Sequence, residues 1–197
     1  MKEISDSIYR ILYNGLSLQT AGLIVGLVLI AVHLVALLKA SPTKEWLQKL
    51  PRNQSIGTWV LAVAFIFAMI VATSMDLGEF SRMRWLAQFA VPAMFLSLLF
   101  YTNEYLGARS LGILVILIVC PVLLAAFLKS PPSRVLLSGL CYVYILLGLF
   151  WIGMPHTLRD QIGWVTKTDG RFKMVALSGL AFGVVILACA LTLWGGA

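Results

Sequence analysis

The chain has 197 residues, 60% of them hydrophobic and 12% charged, and its 15 Lys and Arg exceed its 8 Asp and Glu to give a net charge of +7. A soluble domain carries about 25% charged residues, so this composition excludes a water-solvated core under a polar shell and points to lipid as the solvent. The positive excess is not arranged as a stripe interleaved with aromatics on a polar scaffold, which argues against a nucleic-acid partner; contacts with anionic headgroups account for it.

Residues 1–20 carry Lys2, Glu3, Asp6 and Arg10 and lack a small-residue cleavage site, so the segment is expected to stay attached rather than be removed as a signal peptide. Ile4, Ile8, Ile11, Leu12 and Leu16 recur at helical spacing. They predict a short amphipathic helix within 1–17, lying in the membrane interface.

A hydrocarbon core of about 30 Å needs roughly 20 helical residues. Apolar runs of that length occur at 18–38, 56–75, 85–105, 110–128, 134–153 and 174–194. Barrel strands would alternate apolar and polar residues, whereas 57–75 and 111–128 contain no charge and do not alternate. The expected fold is all-α: one integral membrane domain over 1–197, with a six-helix bundle at 18–194 and short interfacial helices. Trp46, Trp59, Trp85, Trp151, Trp164 and Trp194 all fall at span ends or in connections, the headgroup depth that indole prefers.

With the N terminus on the near face, Lys2, Arg10, Arg82, Arg84, Lys129 and Arg134 belong to that face. Lys39, Lys44, Lys49, Arg52, Arg109, Arg159, Lys167, Arg171 and Lys173 belong to the far one. The larger far-face group leans towards that face being cytoplasmic.

Two connections on the far face have apolar stripes of their own. In 41–51, Ser41 can cap, Pro42 suits a first helical turn, and Trp46, Leu47 and Leu50 form an apolar face before Pro51. In 156–173, Leu158, Ile162 and Val165 recur beside Arg159, Asp160 and Lys167. Together they predict a partly amphipathic floor, a place for a protein partner or lipid headgroups; the plainer alternative is two loops anchored in lipid.

The turn at 76–84 holds Asp76, Glu79, Arg82 and Arg84, which predicts a compensated charge knot. Asn103 and Glu104 close the third span and Arg109 opens the fourth. Opposite charges so placed predict ion pairs that lock the hairpins, with a polar path for an ion as the alternative. The short connections at 102–110 and 129–134, the latter with Pro131 and Pro132, predict that spans three, four and five form a consecutive hairpin series. Gly22 and Gly26, and Gly179 and Gly183, offer small-residue faces for close helix contact.

His33 and His156 both approach the far face, and two imidazoles at similar depth on different helices could hold a b-type haem. The alternative is a satisfied polar group at His33 and a wetted residue at His156. Cys120, Cys141 and Cys189 lie within spans and suit small packing residues. No metal-ligand spacing, nucleophile elbow or phosphate-cradling glycine loop occurs, so neither a metal nor another cofactor is expected.

The run from Leu146-Leu147-Gly148-Leu149 through Pro155, Leu158-Arg159 and Arg171-Phe172-Lys173 to Leu177-Ser178-Gly179-Leu180 and Gly183 resembles small bacterial inner-membrane proteins of the YjeT type. Their helix, basic amphipathic loop and glycine-containing helix correspond to the last quarter of this chain. The whole chain is similar to bacterial six-span membrane proteins of unassigned function with a Met-Asp-Leu-Gly-Glu-Phe turn, here at 75–80. The resemblance implies a bacterial inner membrane and brings no catalytic residue. The expected function is a non-enzymatic accessory or scaffold subunit of a bacterial inner-membrane assembly, in contact with lipids and with other subunits or copies of itself. The alternatives are a small oligomeric transporter or channel, and a b-type cytochrome.

Overall fold

The structure, a computed structural model, describes residues 2–101 and 105–195. Its helices are α1 (Lys2–Tyr9), α2 (Leu18–Leu38), α3 (Ala40–Lys49), α4 (Gln54–Ser74), α5 (Arg84–Tyr101), α6 (Leu106–Ala126), α7 (Arg134–Gly153), α8 (His156–Thr166) and α9 (Asp169–Thr192). A π-helical turn at Arg10–Asn14 and 3₁₀ turns at Leu50–Arg52 and Gly78–Met83 link some of them. The described residues contain no strand. Six helices, α2, α4, α5 with its 3₁₀ lead-in, α6, α7 and α9, are long and apolar enough to cross a membrane. The protein is an all-α integral membrane bundle, as the apolar runs predict.

Caps set several boundaries. Ser17 Oγ accepts from the Thr20 amide at 3.1 Å and opens α2; Asn53 Oδ1 accepts from the Ile56 amide at 3.0 Å and opens α4. Thr168 Oγ1 accepts from the Arg171 amide at 3.3 Å, so α9 starts at Asp169 rather than near 174. The acidic side chain of Asp169 then sits in its first turn, where the helix dipole favours it. Ser41 does not cap α3: the helix begins one residue earlier, with Lys39 in the cap position and no side-chain cap bond.

The α2–α9 pair packs antiparallel at close range along its whole length. A Cβ on Gly26 would lie 3.1 Å from the Leu187 amide nitrogen and 3.2 Å from the Gly183 carbonyl oxygen, and one on Gly183 would lie 2.9 Å from Leu29 Cβ. Gly22 receives the Trp194 ring, and Gly179 receives the ring of His33. The two small-residue pairs thus face each other. Closeness matters here because lipid tails are as apolar as the helices, leaving dispersion and polar contacts as the main attraction between them.

Gly112 and Gly148 bring α6 onto α7 in the same way, a Cβ on Gly112 lying 2.7 Å from the Gly148 carbonyl oxygen. Gly57 of α4 sits on the α6 backbone, its Cβ position 2.8 Å from the Gly107 nitrogen. Helix α6 is therefore central, flanked by α4 and α7, and α5 packs on α4 at the edge of the bundle. No residue of α5 is buried. This corrects the consecutive hairpin series: α6 and α7 form a packed hairpin, but α4 rather than α6 is the neighbour of α5.

At the near face, Leu18, Ala21, Ala125, Ala126, Leu137, Ile186, Ala190 and Trp194 form one buried cluster joining α2, α6, α7 and α9. Trp194 is wholly buried and its indole N–H donates to Ser133 Oγ at 2.8 Å. Trp151 is also buried, donating to Gln161 Oε1 at 2.9 Å. These two depart from the expected interfacial belt because protein oxygens replace water as their partners. Trp46, Trp59, Trp85 and Trp164 are exposed at the ends of the bundle, as belt residues should be.

Gly183→Leu should force α2 and α9 apart and destabilise the bundle by about 1–3 kcal/mol. Gly139→Leu, at a position with nothing within 4 Å, should leave it unchanged. Thermal unfolding of the purified variants in detergent, followed by loss of monodispersity, reads the difference.

Candidate functional site

The far face carries the built polar structure of the molecule. Helices α3 and α8 pack together under the ends of the spans. Leu158 and Ile162 of α8 reach a buried cluster with Ala108 and Trp151, against which Leu47 and Tyr105 pack. The apolar spacing that predicts an amphipathic floor therefore buries one face of α8 inward, as a helix does when its apolar stripe finds a partner.

Polar contacts brace this floor in every direction. Gln48 of α3 donates through Nε2 to Thr166 Oγ1 of α8 at 3.0 Å, and that hydroxyl donates to the Ile162 carbonyl at 2.8 Å. Lys44 of α3 pairs with Asp169 at the start of α9 and lies 5.0 Å from the centre of the Phe172 ring. The Arg171 guanidinium lies 5.0 Å from the Trp164 ring centre, linking α9 to α8. Exposed around these braces are Lys39, Lys49, Lys167 and Lys173, a basic rim.

Tyr105 stands at the centre of a cationic group. It precedes α6 in the left-handed backbone region at φ 61° and ψ 26°, a conformation uncommon for a residue with a side chain. Its hydroxyl oxygen accepts from Arg52 Nη2 at 3.3 Å and from Arg159 Nη1 at 3.0 Å. The guanidinium carbons lie 5.6 Å and 6.0 Å from its ring centre. Arg159 also pairs with Asp160 at 2.8 Å. The hydrogen bond from Arg52, with the charges of both arginines, pulls the Tyr105 phenol below its ordinary pKa. Asp160, with its hydrogen bond and charge, holds the Arg159 guanidinium even more firmly protonated than usual.

The near-face charge knot is not formed: among the described residues no ion pair joins Asp76, Glu79, Arg82 or Arg84. Asp76 instead accepts from the Gly78 amide at 2.9 Å, bending the chain at a glycine with φ +51°. Arg84 turns to the end of α4, donating from Nη2 to the Met75 carbonyl at 2.9 Å, where a cation complements the helix dipole. Glu79 and Arg82 are exposed. Asp76 and one end of Arg84 have found backbone groups, and Glu79 and Arg82 solvent, which costs less ordering than a four-residue network.

Asn103 and Glu104 lie outside the described residues. Arg109 is half-buried in the first turn of α6, with a buried Nε that has no hydrogen-bond partner among the described residues.

His33 Nδ1 is 2.7 Å from the Leu29 carbonyl oxygen of its own helix, and its ring rests in the gap left by Gly179. With Nδ1 so engaged, Nε2 is the atom left to ligate, and it lies against α9. An iron there would require α2 and α9 to part, so His33 as placed does not fit a haem. His156 is exposed at the start of α8. Among the described residues no group of three or more His, Cys, Asp or Glu could hold a metal ion, and the three cysteines are free thiols.

The convergence of Arg52, Tyr105 and Arg159 was not legible along the chain, because Tyr105 is 53 residues from one arginine and 54 from the other. The usable signal was their shared depth at span ends. Replacing Arg52 with Gln should raise the phenol pKa of Tyr105 towards the ordinary value of about 10. The wild-type depression adds stability above that range and loses it as pH falls through the lowered pKa, so the variant should fall furthest below wild type in stability in alkaline solution. Tyrosinate absorbance, taken as the difference between each protein and its Tyr105→Phe counterpart, measures the change. No family model, curated protein or solved structure matches the chain.

Proposed function

We propose that the protein is a non-enzymatic accessory or scaffold subunit of a bacterial inner-membrane assembly, anchored by its six spans and engaging its partner through the far-face floor. The observation that carries this reading is the bracing of α3 and α8: Gln48 with Thr166, Lys44 with Asp169, and Trp151 with Gln161 hold two amphipathic helices as one rigid plate. Polar groups there tie helices to one another and leave a rim of lysines outward. A rigid, charged plate flush with the membrane suits docking, because little ordering entropy is lost when a partner binds it. The larger basic group on this face supports a cytoplasmic orientation, so the partner would present acidic groups from the cytoplasmic side.

Charge reversal of exposed rim residues that take no part in the bracing, Lys49→Glu with Lys167→Glu, should release the partner from gently solubilised membranes while the helix content stays unchanged. Affinity purification followed by mass spectrometry reads the loss. Recovery of the wild-type chain alone, or of the same partners with the reversed variant, would count against a scaffold. Substrate flux through proteoliposomes of the chain alone would favour a transporter.

A further inference from the structure

At the near face a cavity of about 490 Å³ opens between α4 and α5, with Ser5 of α1 at its edge. Its α4 wall is Phe65, Ile66, Met69, Ile70 and Thr73, which share one side of the helix. From Thr73 down to Phe65 this wall runs about 12 Å towards the middle of the bilayer. There the rings of Phe65 and Phe95 meet with centres 4.5 Å apart and close the cleft. The α5 wall supplies Arg84 and, one turn further in, Gln88. The cleft is thus apolar along its depth and cationic at its mouth.

Arg84 is incompletely satisfied. Among the described residues it makes one hydrogen bond, from Nη2 to the Met75 carbonyl, while its buried Nε has no partner and neither Asp76 nor Glu79 pairs with it. A guanidinium has five N–H donors, and holding its charge in a half-buried site without a counter-ion is unfavourable. A phosphate oxygen at the mouth would accept from the Nη groups that the Met75 carbonyl leaves free and compensate the charge, in the charge-assisted geometry that arginine favours. A lipid tail alone would fill the slot but leave Arg84 as it is. The charge therefore selects the head, and the apolar walls select a chain attached to it.

We propose that the α4–α5 cleft is a specific site for an anionic phospholipid, with the phosphate on Arg84 and one acyl chain lying along Ile66, Met69 and Ile70 towards Phe65. The site lies on the opposite side of the membrane from the docking floor and does not depend on it.

The full-length protein in detergent, irradiated with a phosphatidylglycerol carrying a mid-chain diazirine and mapped by peptide mass spectrometry, tests this. Adducts should centre on Ile66–Ile70 of α4, and unlabelled phosphatidylglycerol should compete them away while equal phosphatidylcholine does not. Arg84→Gln should lower the yield roughly tenfold, the loss of one charge-assisted contact; Arg84→Lys should restore part of it, and Arg82→Gln on the same turn should change nothing. Met69→Trp fills the slot with Arg84 intact and should also abolish labelling, which keeps the test decisive if Arg84→Gln does not fold. Equal competition by phosphatidylcholine, adducts spread over all lipid-facing helices, or full labelling of Met69→Trp would overturn the site.

Discussion

Close backbone approach at glycine holds this bundle together. Between helices in hydrocarbon there is no water to expel, so attraction must come from dispersion over short distances and from hydrogen bonds. Gly26 and Gly183 let α2 and α9 touch backbone to backbone, Gly112 and Gly148 do so for α6 and α7, and Gly57 does so for α4 on α6. At each of these places a methyl group would fall within about 3 Å of a neighbouring helix. The arrangement of the remaining helices follows: α6 is gripped on two sides, whereas α5 has no such contact and rests on α4 at the edge.

Polar side chains serve the ends of the rods. Ser133 and Gln161 satisfy the two buried indoles, Met75 and Ala126 carbonyls at helix ends are taken up by Arg84 and Arg134, and Ser17, Asn53 and Thr168 cap three helices. The result divides the molecule into an apolar middle and two polar rims with different character. The far rim is a braced plate in which Lys44, Arg52, Arg159 and Arg171 have partners in Tyr105, Asp160, Asp169 and two aromatic rings. The near rim is looser, and there Arg84 faces an open apolar cleft with part of its hydrogen-bonding capacity unused.

That difference gives the two rims different chemical uses. A braced plate with outward lysines suits a surface that meets another surface, since its internal bonds need not break on contact. A cation over a deep apolar slot suits a ligand that is itself half charged and half apolar. Both follow from where charges stop relative to the hydrocarbon boundary, because an ionised group moved inward by a turn would lose its water without gaining a partner.

Length and polarity along the chain determined the solvent, the six spans, the interfacial segments and the floor, because a rod that crosses lipid must be apolar for about 20 residues whatever its neighbours are. The two glycine pairs were also visible, although which pair met which was not. Tertiary structure alone decided that α5 packs chiefly on α4, that Trp151 and Trp194 turn inward, that His33 is pressed onto Gly179, and that Arg52 and Arg159 meet on one tyrosine. It also decided that Asp76 and Arg84 bind backbone rather than each other. These outcomes depend on distances between segments far apart in the chain, and in a uniformly apolar medium hydropathy does not distinguish one helix neighbour from another.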